Sequence, residues 1–208
     1  EGDIYRWVQK VRDNLVDEIH ERYPKIQRRV AGYNLDELIK PGPLNLARLI
    51  AGSEGTLGVI TEMRVRIVPI PACLGLAILP VPDIMAGLDA VPALLEVDPY
   101  ALEVIDKTVL ELGQQSPVFK GGLTWLTGTP DGLLLVEVDG NERECSDKLD
   151  AIKAIAHERF PGMDVTVMTE PEAMAEVWTL RKAGLGLLMG KRSHERAAAF
   201  LEDVAVPP

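Results

Sequence analysis

An α+β protein with a mixed or antiparallel sheet is what the sequence predicts, from three observations. Short apolar runs of strand type alternate with helical patterns of 10–20 residues, which calls for a layered sheet-and-helix architecture. The strands are brief and often flanked by proline, which suits an antiparallel or mixed sheet better than a doubly wound parallel one. No internal repeat and no low-complexity tract interrupts that rhythm.

Taken in order, Ile4, Val8, Val11, Leu15 and Ile19 recur at helical spacing with charges between them, so residues 3–22 form an amphipathic helix. Pro24 stops it. Residues 28–50 are mixed, with a Pro-Gly-Pro turn at 41–43 and a short helix over Leu44–Ile50. Met63, Val65 and Ile67 alternate with Glu62, Arg64 and Arg66, the pattern of a half-buried strand. Pro69 and Pro71 end it, and a domain boundary is expected there, giving units of 1–72 and 73–208.

Beyond the boundary, Leu74–Val81 reads as a strand, 83–96 as a helix, Ala101–Ile105 as a strand and 106–115 as a helix. A Gly/Pro/Thr loop spans 121–132, and Leu133–Asp139 is the next strand. Asn141-x-x-Glu144 has the form of a capping box and opens a helix to about Phe160, with Cys145, Leu149 and Ile152 on one face. Val165–Met168 is a strand. Thr169-x-x-Glu172 looks like a second capping box, leading a helix through Trp178 and Arg181 to about Met189, and Phe200–Val206 closes with a strand.

The bulk composition excludes several function classes. Of 208 residues, 47% are hydrophobic and 26% charged, as in ordinary globular proteins, and the net charge is −10. That charge disfavours nucleic acid and anionic membrane surfaces, both of which ask for Lys and Arg. No apolar run approaches the roughly 20 residues of a spanning helix. Cys73 and Cys145 form no Cys-x-x-Cys pair, so no metal site is expected, and buried reduced thiols with a cytoplasmic address follow. His20 and His157 sit among helix charges with no second ligand at metal spacing, and His194 lies in the basic stretch Lys191–Arg196. The first residue is Glu1 rather than Met, and the last are Val206-Pro-Pro208; a fragment of something longer is expected.

Function is concentrated in Gly52-Ser-Glu-Gly-Thr-Leu-Gly-Val-Ile-Thr-Glu62. Its small residues let backbone and ligand approach closely. The spacing is neither Gly-x-Gly-x-x-Gly nor a P-loop, so the common nucleotide fingerprints fail. Taken alone, the glycines equally suit a tight loop feeding a strand.

The full string, with Arg28–Leu35, Asn45–Ile50 and Val68–Pro71 in the same order, resembles the FAD-linked oxidases of the vanillyl-alcohol oxidase and p-cresol methylhydroxylase type. Ala101–Asp106, Leu135–Gly140, Trp178–Lys182 and Glu202–Pro207 are similar to the cap region of the same family, nearest to bacterial D-lactate and D-2-hydroxyglutarate dehydrogenases. The resemblance implies that 1–72 end a FAD-binding α+β subdomain. It implies that 73–208 begin a ferredoxin-like cap, with a mostly antiparallel sheet and helices on one face.

It further implies that Glu54, Gly55, Thr56, Leu57, Gly58, Val59 and Ile60 lie along FAD, and that Arg181 meets the substrate acid. Arginine is suited to that task because its guanidinium is planar, always charged and bidentate. The bland alternative is an Arg that covers its helix and pairs with Glu172 or Glu176. A second basic ligand near the final strand is not matched around Leu201, where Lys191 or Arg192 could substitute. The family's histidine segment and its Gly-rich pyrophosphate loop are absent from these residues.

The expected parent is a flavin-dependent D-2-hydroxyacid dehydrogenase, with an iron–sulfur acceptor domain or subunit as electron partner. Its expected location is cytoplasmic or peripheral to the inner face of the membrane. The isolated fragment is expected to be inactive. The rival reading is a non-catalytic cap-like domain that docks a subunit or electron carrier.

Overall fold

A computed structural model describes residues 2–26, 32–119, 122–190 and 205–206. The expected strand Phe200–Val206, the basic stretch Lys191–Arg196, Leu201 and the Arg28–Ala31 part of the first motif lie outside or mostly outside these residues. The chain divides into two compact units, one within Glu1–Ile67 and one within Val68–Ala198.

In the first unit, helix α1 (Gly2–Arg22) follows the expected amphipathic pattern. Val8 and Ile19 are buried, and Val8 packs with Leu38 and Leu49 in a small core. A 3-10 turn at Leu35–Leu38 and the short helix α2 (Leu46–Ile50) supply those partners. Asn45 caps α2, its side chain accepting from the Ala47 N–H at 3.0 Å.

The half-buried strand expected over residues 62–68 does not form. Met63, Val65 and Ile67 are exposed, as are the residues between them. Alternating apolar residues make a strand only when a neighbour pairs with its backbone and covers one face. Among the described residues no strand pairs with this segment.

The second unit is built on strands β1 (Cys73–Val81), β2 (Ala101–Asp106), β3 (Gly132–Gly140) and β4 (Thr166–Met168). They lie in the order β2-β3-β1-β4, with every neighbouring pair antiparallel. Helix α3 (Ile84–Leu95) joins β1 to β2, and α5 (Glu142–Arg159) joins β3 to β4. Each crossover skips one position in the sheet and returns parallel, so the unit is two interlocked split βαβ motifs, the ferredoxin-like arrangement.

The helices, expected on one face, occupy both. Ala77, Leu79, Val81, Val136 and Val138 meet α3 and α5 on one side. Leu76, Ile78, Leu133 and Leu135 meet α4 (Lys107–Gln115) and α6 (Pro171–Met189) on the other. The central strands signal this: Leu76 to Leu79 are all buried, not alternate ones. A strand apolar on both sides needs cover on both sides, and each leucine so buried is worth about 1.5–3 kcal/mol.

Local capping follows the sequence at one helix and departs from it at another. At α5 the Asn141 Oδ1 accepts from the Glu144 N–H at 3.0 Å, and Glu144 Oε2 accepts from the Asn141 N–H at 2.8 Å, completing the expected box. At α6 the expected Thr169–Glu172 box is absent. Pro171 occupies the first turn, Glu170 becomes the cap residue, and its side chain makes no capping bond. Proline tolerates that place because its missing N–H is not needed there.

Candidate functional site

Within the first unit, the Gly52–Glu62 loop is held by residues from the other motif segments. Asn34 donates through Nδ2 to the carbonyls of Ala51 (2.8 Å) and Arg48 (3.3 Å). The Tyr33 hydroxyl lies 2.9 Å from Thr56 Oγ1, which also donates to the Ser53 carbonyl at 2.6 Å. Ser53 is buried, and the Thr56 N–H closes on the Ser53 carbonyl at 2.9 Å. Glu54 and Gly55 adopt φ of 50° and 77°, so the backbone turns sharply at this point. Three separate stretches of sequence thus converge on one fixed turn.

Past the turn the picture changes. Glu54 to Ile60 are all exposed, Val59 being 90% so. Backbone groups of Leu57–Ile60 make no hydrogen bond to the described residues. A Cβ added at Gly55 or Gly58 would meet nothing within 4 Å. An anchored turn therefore leads into bare backbone, small residues and apolar side chains. Unpaired N–H and C=O groups beside apolar surface are what a flat, polar-edged nucleotide cofactor needs. Glu54 to Ile60 could hold such a cofactor, FAD among them.

In the second unit, Arg181 projects from α6 onto β2. Its Nη2 donates to both oxygens of Glu103, at 2.9 and 2.8 Å. The partner is thus neither Glu172 nor Glu176, which share its helix; β2 lies under α6 and brings Glu103 to it. One turn earlier, Trp178 Nε1–H donates to Glu137 Oε1 at 2.9 Å. Glu137 is only 8% exposed. Burial pushes its carboxyl above the usual range; the Trp178 hydrogen bond opposes that rise and Asp139 adds to it.

Alongside lies a cleft of about 580 Å³ between α6 and the entry to β1. Leu74, Met174 and Trp178 form apolar walls, and Glu137, Thr169 and Lys182 supply polar groups. Arg181 does not line it. Sequence reasoning singled out Arg181 and passed over Glu137 and Lys182. A lone Glu in an apolar run was the available signal, since a strand centre seldom holds an acid.

Both thiols are free, Cys145 buried and Cys73 half-buried. Cys145 Sγ donates to the Cys73 carbonyl at 3.4 Å. Burial and the neighbouring Cys73 push the Cys145 thiol up to about 11. His20 and His157 are exposed, and no group of acids, histidines and cysteines among the described residues could hold a metal. No helix among them is long and apolar enough to cross a membrane.

Comparison with known proteins gives this geometry a context. Residues 70–208 match the family described as FAD linked oxidases, C-terminal domain. D-2-hydroxyglutarate dehydrogenase of Pseudomonas putida is 30% identical over 217 residues, covering 100% of this chain and 21% of the relative. The enzyme of the same name from Escherichia coli is 28% identical, covering 99% of this chain and 21% of its own length. The mitochondrial D-lactate dehydrogenase (cytochrome) of Arabidopsis thaliana is 32% identical over 164 residues, 78% of this chain and 27% of the relative. The chain therefore spans about a fifth of the first two relatives. With the family match running from residue 70 to residue 208, the chain belongs to the FAD-linked oxidases.

Proposed function

We propose that these residues are part of a flavin-dependent enzyme that oxidises a D-2-hydroxy acid. The observation that carries this reading is the anchored turn at Ser53–Thr56 opening into unpaired backbone at Leu57–Ile60, in a chain whose relatives are named as dehydrogenases of such acids. FAD, when bound, supplies the hydride acceptor. Glu54 to Ile60 would lie against it, their main chain serving as donor and acceptor and their small residues permitting contact. Helix α6 would face the substrate. Arg181 would meet the acid's carboxylate by exchanging its bond to Glu103, since one guanidinium edge serves either carboxylate.

An iron–sulfur domain or subunit is the proposed electron acceptor, and the units 1–72 and 73–208 are the proposed flavin-side and substrate-side parts. Alone, the 208 residues should keep little FAD through desalting and turn nothing over. Yellow protein with activity on D-lactate or D-2-hydroxyglutarate would contradict that.

The decisive test uses the full-length enzyme, an artificial electron acceptor and a panel of hydroxy acids. Gly58→Val is the informative variant. Its backbone is not in the left-handed region and its Cβ meets no protein atom, so any loss of flavin reports a lost close approach. Unchanged flavin content would remove the segment from the cofactor site.

A further inference from the structure

We propose that Cys73 and Cys145 form a reversible oxidation site. Hydrogen peroxide would convert the two free thiols into a disulfide that staples the first turn of α5 to the start of β1.

The pairing follows from the register of a helix on a strand. Cys73, Gly75 and Ala77 alternate along β1 and share the face that α5 covers. Two strand residues advance about 6.6–6.8 Å, and four helical residues advance about 6 Å. Leu149 sits over Gly75, where an added Cβ would lie 2.8 Å from Leu149 Cδ1. One turn earlier, Cys145 sits over Cys73, with its Sγ 3.4 Å from the Cys73 carbonyl. Gly75, having no Cβ, lets the helix come this close.

Both backbones are pinned where the thiols stand. The Asn141–Glu144 box fixes the first turn of α5, and β1 pairs with β3 from Cys73 opposite Gly140 onward. The side chains meet as well. Burial first, then hydrogen bonding with the Cys73 side chain, holds the Cys145 thiol above its ordinary range.

Access sets the order of events. Cys73 is half-buried beside exposed Ala72, whereas Cys145 is buried. A small oxidant therefore meets Cys73 first. Peroxide transfers one oxygen to the Cys73 sulfur, giving the sulfenic acid and one water. Cys145 Sγ then attacks that sulfur. The S–O bond breaks, and the hydroxyl leaves as a second water with the Cys145 proton. Two thiols have lost two electrons and two protons, and one peroxide has become two waters. Cys145 is a weak acid, so nearness to Cys73 drives this second step. The bond would join residues 72 positions apart, closing a loop over most of the sheet, and a dithiol would reopen it.

The test treats the full-length enzyme with hydrogen peroxide, blocks the remaining thiols with iodoacetamide in urea, and maps tryptic peptides without reductant. Peptide 67–107, which carries Cys73, should join peptide 144–148, which carries Cys145, with the loss of two hydrogens. Dithiothreitol should separate them. Cys145→Ala removes the second thiol, so dimedone should trap a sulfenic acid at Cys73. Cys73→Ala should leave Cys145 reduced at the same dose of peroxide.

Peptides that stay unlinked while Cys73 advances to the sulfinic acid would overturn the proposal. So would Cys73 linked to a cysteine other than Cys145, or neither thiol oxidised at any dose. These outcomes are read on the unaltered enzyme and stand whether or not the alanine variants fold.

Discussion

Glu103 on β2 and Arg181 on α6 share one guanidinium nitrogen: both carboxylate oxygens accept from Nη2, at 2.9 and 2.8 Å. The pair ties an edge strand to the helix above it. Both side chains are partly exposed, at 34% and 45%, so the pair is worth about 0–1 kcal/mol. A cation held this weakly can change partners. Glu103→Gln should therefore alter the denaturation midpoint little and lower KM for the hydroxy acid in the full-length enzyme. If KM is unmoved by Glu103→Gln and by Arg181→Met alike, Arg181 serves the fold and not the substrate.

Glu137 sets a pH dependence whose sign can be worked out. Its carboxyl is raised above the ordinary 4.5 chiefly by burial, so the native state binds the proton more tightly than the unfolded chain. The associated stability is complete below the unfolded value and is lost as pH rises through the folded one. Glu137→Gln removes the charge and keeps an acceptor for Trp178. The variant should be the more stable chain at pH 7, with the difference closing below about pH 4. Glu137→Leu instead strands the Trp178 N–H and should cost about 1–3 kcal/mol. Urea melts at pH 4 and 7 read both effects, and a Gln variant weaker at pH 7 would refute the assignment.

Legibility in the sequence tracked how local the cause was. The Asn141–Glu144 cap and the buried face of Cys145, Leu149 and Ile152 depend on spacing within one helix, and both stand as read. The 62–68 alternation was just as clear, yet strand formation depends on a partner that the described residues do not supply. The second helical face was written in the unbroken burial of Leu76–Leu79, which a period-two reading cannot distinguish from a short core strand. Arg181 was visible as a cation on a helix, but Glu103 lies 78 positions away. Only the fold of β2 beneath α6 joins them.

Cys145 offers a chemical check on the core between β1 and α5. The thiol is 2% exposed and pushed up to about 11, so thiolate is scarce at pH 8. Iodoacetamide should leave Cys145 unmodified in the native chain and label it once urea unfolds the second unit. Native-state labelling of Cys145, read by peptide mass mapping, would show that α5 opens from the sheet.

The packing of α4 against α6 turns on Gly113 and Leu180. In an exposed helix, Gly→Ala gains about 1 kcal/mol from backbone entropy. Here a Cβ at Gly113 would sit 2.4 Å from Leu180 Cδ1, and Leu180 is fully buried with little room to turn. Gly113→Ala should therefore destabilise by about 1–3 kcal/mol, the usual cost of overpacking. Leu180→Ala alone should cost about 2–5 kcal/mol through its cavity. Combined, the two should cost less than their sum, because the new methyl occupies part of the space Leu180 vacates. A double-mutant cycle by urea denaturation measures the coupling; simple additivity would mean that the helices do not meet at this point.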